Sequence, residues 1–177
     1  MNDWLDGETK LVKNVLSESL ISRINQGYLM DSLRTNLTHW PPNIVNNSGP
    51  IFLYQLRKDI EEDVKSEVIK LLPDHTKDLK WSMTYTLGSR YSYLNWHNDI
   101  WHEYSITLYL NEHWEREYHG YLIYESPDGL RAVLPEYNTA FVFRAPLQHS
   151  TTMPTIQAPL RKSIQIFVSK IESEDNK

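Results

Sequence analysis

Hydrophobic and polar positions change their period near residue 80, and that change divides the chain in two. From Leu11 to about Leu33, apolar residues such as Leu11, Val15, Leu16, Leu20, Ile21, Ile24 and Leu29 recur mostly at steps of three and four. That stripe predicts a helix, with Ser17 or Ser19 as a cap or break. A turn-rich connection over 35–50 carries Pro41-Pro42, Asn46-Asn47 and Gly49-Pro50. A second helix is predicted from about Phe52 to Leu72. Its apolar residues Ile60, Val64, Val68 and Leu71 sit at i, i+4, i+8 and i+11 with acidic residues on the other faces, and Pro73-Asp74 stops it.

After Lys80 the segments are short and rich in β-branched and aromatic residues. They run Trp81 to Thr86, Tyr91 to Asp99, Tyr104 to Leu110, Gly120 to Glu125, Arg131 to Leu134, Thr139 to Phe143 and Ser163 to Ser169, most separated by Gly, Pro, Asn or Asp. Two helices followed by such a series predict a mainly β protein with N-terminal helices packed on an antiparallel double sheet. No repeat, low-complexity tract or linker interrupts it, so one domain over 1–177 is expected, with a helical part over 1–79 and a β core over 80–170.

Composition narrows the function classes. The 177 residues are 40% hydrophobic and 23% charged, as in ordinary globular chains. The net charge of −5, with no basic block, disfavours nucleic acid as a partner. The absence of cysteine removes disulfides, thiolate zinc sites and cysteine nucleophiles, and it suits a reducing compartment. The acidic start lacks the apolar run of a signal peptide, and no stretch reaches transmembrane length. A cytoplasmic protein without membrane contact is expected, its oligomeric state open.

The candidate chemistry lies in Asn95-Trp96-His97-Asn98-Asp99. On a regular strand His97 and Asp99 point to the same side from adjacent pleats and could take neighbouring positions on one metal ion. Trp96 and Asn98 would then face the sheet. Alone, a His-x-Asp pair is weak. His149, following the apolar run Phe141-Val142-Phe143, offers a third ligand, and two His with one carboxylate leave positions open, as in non-haem Fe(II) oxygenases. Arg161 leads into the strand around Ile164 and could grip a carboxylate through paired charge-assisted hydrogen bonds, with Ser163 adding another on the same face. His102-Glu103 begins like a metalloprotease helix, but Ser105 and Ile106 stand where the second histidine would be sought.

Taken in order, these pieces resemble the prolyl-hydroxylase-like branch of the 2-oxoglutarate- and Fe(II)-dependent oxygenases over about 80–170. Tyr85-x-x-Gly88 precedes His97-x-Asp99; Thr107-Leu108-Tyr109-Leu110-Asn111-x-x-Trp114 follows, then Gly120-x-Leu122, Pro135 with Asn138, His149 and Arg161. The resemblance implies a double-stranded β-helix (jelly roll) with helices packed on one sheet. It implies Fe(II) held by His97, Asp99 and His149 as the catalytic triad, with 2-oxoglutarate and O2 as co-substrates. Arg161 would hold the far carboxylate of 2-oxoglutarate, and Tyr109 with either Tyr85 or Tyr93 would supply hydroxyl contacts. The activity implied is hydroxylation of a C–H bond with release of succinate and CO2. His119 stands where relatives carry the first of two glycines, and the Tyr85–His97 and His149–Arg161 intervals run long.

Two other readings remain. A cupin-like metal-binding jelly roll would need no co-substrate, but Asp99 stands where the second histidine of such modules is expected. Nucleic-acid demethylation usually brings a second arginine six residues after the first, where this chain has Phe167. The substrate stays open between a small molecule, an amino acid and a peptidyl, including prolyl, group. The short N-terminal part favours a small molecule or short peptide.

Overall fold

The computed structural model describes residues 8–27, 44 and 48–170. Strand β1 (Thr9–Lys13) leads into helix α1 (Glu18–Gly27), and strand β2 (Ile51–Tyr54) leads into helix α2 (Lys58–Val68). The two short strands correct the expectation of helix beginning at Leu11 and at Phe52. β1 pairs with a later strand at all five of its positions, and β2 pairs at all four of its own. Long-range ladders override a local pattern that, over four or five residues, fits either period. The end of the first predicted helix and most of the turn-rich connection lie outside the described residues.

Within the helices the pattern holds. Leu20, Ile21 and Ile24 of α1 are buried, as are Ile60, Val64 and Val68 of α2, and Leu71 follows in a 3-10 turn. Ser17 precedes α1, and its carbonyl accepts the Ile21 N–H at 3.0 Å. Its own N–H and hydroxyl donate to the Glu67 carboxylate at 2.8 and 2.9 Å, fastening the start of α1 to α2. Among the described residues, no helix is long and apolar enough to cross a membrane.

From Lys80 onward strands follow one another: β3 (Lys80–Gly88), β4 (Leu94–His97), β5 (Tyr104–Tyr109), β6 (Leu122–Ser126), β7 (Gly129–Val133), β8 (Thr139–Arg144), β9 (His149–Thr151) and β10 (Arg161–Ser169). They form two antiparallel sheets, a six-stranded one in the order β1-β8-β5-β10-β3-β2 and a four-stranded one in the order β4-β9-β6-β7. Period-two alternation sorts each strand of the larger sheet between two environments. Ile164, Ile166 and Val168 of β10, Ile106 and Leu108 of β5, Ala140 and Val142 of β8 and Tyr85 and Leu87 of β3 pack with the two helices. Tyr109, Phe141 and Phe143 turn the other way and meet Leu122, Tyr124 and Val133 of the smaller sheet. The interior between the sheets is therefore apolar at the β8 side, while β10 and β3 send polar residues into it. That polar stretch is where the candidate site lies.

Asn138 joins the two halves. It sits at φ 50°, a conformation asparagine tolerates better than most residues. Its side-chain oxygen accepts the Leu16 N–H at 2.8 Å, and its amide donates to the Leu16 carbonyl at 2.7 Å.

Candidate functional site

β4 and β9 bring two histidines face to face. His97 and His149 are direct partners across the ladder, their ring centroids 4.1 Å apart. Leu94 pairs with Thr151, so β4 spends three residues where β9 spends two, and one extra residue bulges out. Such a bulge bends the strand and re-aims its side chains. Here it turns both Leu94 and His97 inward in spite of their odd spacing, and leaves Asn95 and Trp96 exposed. Trp96 does lie opposite His97, but it faces solvent at 42% exposure rather than packing on the sheet.

Asp99 reaches the same place by a different route from the one expected. β4 ends at His97, and Asp99 belongs to the turn beyond it, where its carbonyl accepts the His102 N–H at 2.9 Å. Its carboxylate lies 4.0 Å from His97 Nε2 through Oδ1 and 3.9 Å from His149 Nε2 through Oδ2. All three side chains are buried, and their ligand atoms lie within 4.8 Å of one another.

The donor set suits a divalent cation. Nδ1 of His97 is 2.6 Å from the Asn95 carbonyl and Nδ1 of His149 is 2.9 Å from the Leu147 carbonyl. A carbonyl only accepts, so each Nδ1 carries a proton and each Nε2 is the atom turned toward the carboxylate. That is how metal-binding imidazoles are usually fixed in one tautomer. Burial pushes His149 down to about 4, Asp99 opposing and His97 reinforcing, so the ring is neutral and ready to ligate at ordinary pH.

The same three residues line a cavity between the sheets of about 730 Å³ including its open mouth, and Tyr109, Arg161 and Ser163 line it too. Arg161 opens β10 opposite Gly88, where an added Cβ would come within 3.5 Å of the Arg161 side chain. The guanidinium is almost wholly buried and donates through Nη1 to the Gly120 carbonyl at 2.8 Å. No carboxylate pairs with it among the described residues, and its burial pulls its pKa down from the ordinary value. Burial pushes the Tyr109 phenol up to about 12, Arg161 opposing, so it stays a proton donor at neutral pH. Ser163, directly across the ladder from Tyr109, is 2.6 Å from the Thr86 hydroxyl.

The two alternative tyrosines lie elsewhere. Tyr85 faces the helices from the opposite side of β3, its ring against Tyr54 and its hydroxyl near Asn25. Its neighbours Thr84 and Thr86 face the cavity instead. Tyr93 packs beside Gly49, whose N–H donates to the Tyr93 carbonyl at 3.0 Å, and it does not line the cavity. His102 also stands outside, stacked on Phe167 with its Nδ1 2.7 Å from Ser169 Oγ. Trp101 and Tyr91 are exposed, whereas Tyr104 is buried.

Several contributors escaped the sequence reading. Ser105 donates its hydroxyl to Asp99 Oδ2 at 2.7 Å. Asn111 clasps both flanks of Arg161, donating to the Leu160 carbonyl at 2.8 Å and accepting the Lys162 N–H at 2.7 Å. Thr86, Thr107 and Gln165 complete the polar floor. Their signal was available in the alternation, since β-strand positions two apart share a face: Gln165 lies four residues from Arg161, and Thr107 two from Tyr109.

No family model matches the chain, and neither does any curated protein. Solved structures do. A prolyl-4-hydroxylase from Pseudomonas putida superposes with a TM-score of 0.65 at 15% identity, covering 93% of both chains. A prolyl hydroxylase from Trichoplax adhaerens, in complex with a hypoxia inducible factor peptide fragment, gives 0.70 at 12% identity over 92% of this chain and 84% of that one. HygX from Streptomyces hygroscopicus, with nickel, 2-oxoglutarate and hygromycin B bound, gives 0.66 at 10% identity over 93% and 84%. The chain thus has the fold of the 2-oxoglutarate–Fe(II) oxygenases, including the prolyl hydroxylases, and the antiparallel double sheet expected of a jelly roll.

Proposed function

We propose that this chain is an Fe(II)- and 2-oxoglutarate-dependent dioxygenase that hydroxylates a C–H bond of a small-molecule, amino-acid or peptidyl substrate. The observation that carries the reading is Arg161. A buried guanidinium without an anionic partner is costly to keep, and this one shares its cavity with a His-Asp-His cluster. A dicarboxylate chelating a metal at one end and meeting the guanidinium at the other would account for both. A metal-binding jelly roll without co-substrate accounts for the cluster and leaves Arg161 unexplained.

His97, Asp99 and His149 would hold the metal, and Arg161 would take the far carboxylate of 2-oxoglutarate with Tyr109 donating a further hydrogen bond. Ser163, held by Thr86, would flank that carboxylate. When bound, Fe(II) supplies the activation of O2 while 2-oxoglutarate is cleaved to succinate and CO2, one oxygen atom going to succinate and the other to the substrate. The chain's part is to keep the His149 imidazole neutral, leave coordination positions open and seal the co-substrate end from water.

The test is conversion of 2-oxoglutarate to succinate by protein loaded with Fe(II). His97→Ala abolishes it if the reading holds. Arg161→Leu raises the KM for 2-oxoglutarate by roughly thirtyfold or more, the effect of removing one partner of a buried charge pair at about 2–5 kcal/mol. Turnover that survives His97→Ala would sink the metal assignment.

A further inference from the structure

Granted the proposed function, on which this inference rests, every formal charge lining the cavity has a task. Asp99 lies against the two histidines, and Arg161 occupies the co-substrate end. Among the described residues the rest of the lining carries no ionised group. Along the inner face of β10, Gln165 and Phe167 follow Ser163, and Gln165 stands between Thr107 on β5 and Thr84 on β3. Thr107 donates its hydroxyl to Gln165 Oε1 at 2.9 Å. That bond orients the carboxamide, because its oxygen is occupied and its NH2 group is left as the free donor of a residue that lines the cavity. There the amide nitrogen has no partner among the described residues, and neither has the Thr84 hydroxyl. Ile51, Leu53 and Leu94 add an apolar wall.

An ion entering this part of the cavity would shed its hydration with no counter-ion among the described residues to meet it. A neutral amide meets the reverse situation. Gln165 offers N–H donors, and Thr84, one strand spacing of about 4.8 Å away, offers a hydroxyl oxygen that accepts. A carbonyl oxygen and an amide N–H are complementary to that pair, and the alkyl remainder is complementary to the wall. We infer that the moiety brought to the metal is an uncharged amide, with Gln165 as the specificity-determining residue that receives its carbonyl oxygen and Thr107 as the residue that positions Gln165. Charged free amino acids and phosphorylated compounds are disfavoured as the substrate to be hydroxylated. The same chemistry could come from a peptide-linked residue or from a free lactam.

The experiment measures paramagnetic broadening of probe resonances by protein loaded with Mn(II) and 2-oxoglutarate. The neutral probes are N-acetylalanine methylamide for the peptide source and 2-pyrrolidone for the lactam source. Their charged counterparts are free alanine, N-acetylalanine and pyrrolidine. The expected result is broadening of one or both neutral probes at concentrations about tenfold below those needed for any charged one. Gln165→Leu abolishes that preference, and Gln165→Glu, which keeps the shape and adds a negative charge, shifts it toward pyrrolidine. Equal or stronger broadening of the charged probes overturns the inference, as does no broadening of either neutral probe or an order unchanged in both variants. Mn(II) binding, read from water relaxation in the same samples, and succinate formation without substrate under Fe(II) report on the proposed function separately. If those succeed while the probe order fails, only the amide assignment falls.

Discussion

Among the described residues, the Asp99 carboxylate accepts one side-chain hydrogen bond. Oδ2 accepts the Ser105 hydroxyl and faces His149 while Oδ1 faces His97, so Ser105 fixes the rotation of the carboxylate. Ser105 is fully buried on the inner face of β5, where its one bond orients a metal-binding carboxylate. Removing such a supporting partner typically weakens metal affinity 10–100-fold. Ser105→Ala is therefore expected to weaken Mn(II) binding by roughly that factor with little change in melting temperature. Competition with a chelator measures the first and a thermal melt the second; an unchanged affinity would mean that the turn after β4 fixes Asp99 by itself. His119 is legible in the same residue-level terms. It stands where the resemblance puts the first of two glycines, and the backbone there does take a glycine-like conformation, φ 56° at His119 and φ 69° at Gly120. The second glycine is the one the site needs, because a Cβ at 120 would press to 3.0 Å on Trp114 beside Arg161, and the Gly120 carbonyl is the acceptor for Nη1.

β10 is the element on which the site is strung, with Arg161, Ser163, Gln165 and Phe167 on one face and Ile164, Ile166 and Val168 on the other. That much could be read from the sequence, since alternation survives in a long strand paired on both sides. Reading failed where elements are short or irregular. β1 and β2 have five and four residues, too few to distinguish a period of two from one of 3.6. The bulge in β4 could not be seen in the spacing of Leu94 and His97. Tyr85 is an alternative to Tyr93 only through its resemblance to a motif position, yet strict alternation from Gly88 places Thr86 and not Tyr85 on the inner face. Asn111 shows how the start of β10 is fixed. Its side chain makes both hydrogen bonds that flank Arg161, so Asn111→Ala leaves a carbonyl and an N–H without their partner. With partial access to water the cost is about 1–3 kcal/mol. The functional consequence is local: the KM for 2-oxoglutarate rises about tenfold while Mn(II) affinity stays within about twofold, measured side by side. Equal losses in both would point to general unfolding instead of a misplaced Arg161.

For the whole molecule, a cavity lined by both sheets makes metal binding and folding one linked equilibrium. His97 and His149 come from the smaller sheet, and the Ser105 that braces Asp99 comes from the larger, so the braced cluster needs both sheets in place. In the metal-free protein His149 is held near 4, against about 6.5 for an unburied imidazole. Between those values the unfolded chain binds a proton that the folded chain refuses. Stability from this group is therefore complete above about pH 6.5 and declines as the pH falls toward 4, by at most about 1.4 kcal/mol per pH unit. His102, lowered by burial with Asp99 opposing, acts in the same direction. A metal that binds only the folded state opposes the loss, adding about 2.7 kcal/mol at a hundred times its Kd, or roughly 5–10 °C in melting temperature for a chain of this length. Protons compete for the same Nε2 atoms, so that gain shrinks in acid. Melts in chelator and in Mn(II), taken from pH 7.5 to pH 5, are thus expected to diverge most at pH 7.5 and to converge toward pH 5, with the chelated series falling as the pH falls. His149→Gln should remove both the acid slope due to this imidazole and most of the metal-induced gain. A metal-free protein whose melting temperature stays level from pH 7 to 5 would mean that His149 is not held neutral by its burial, and the argument for a preformed ligand set would fail with it.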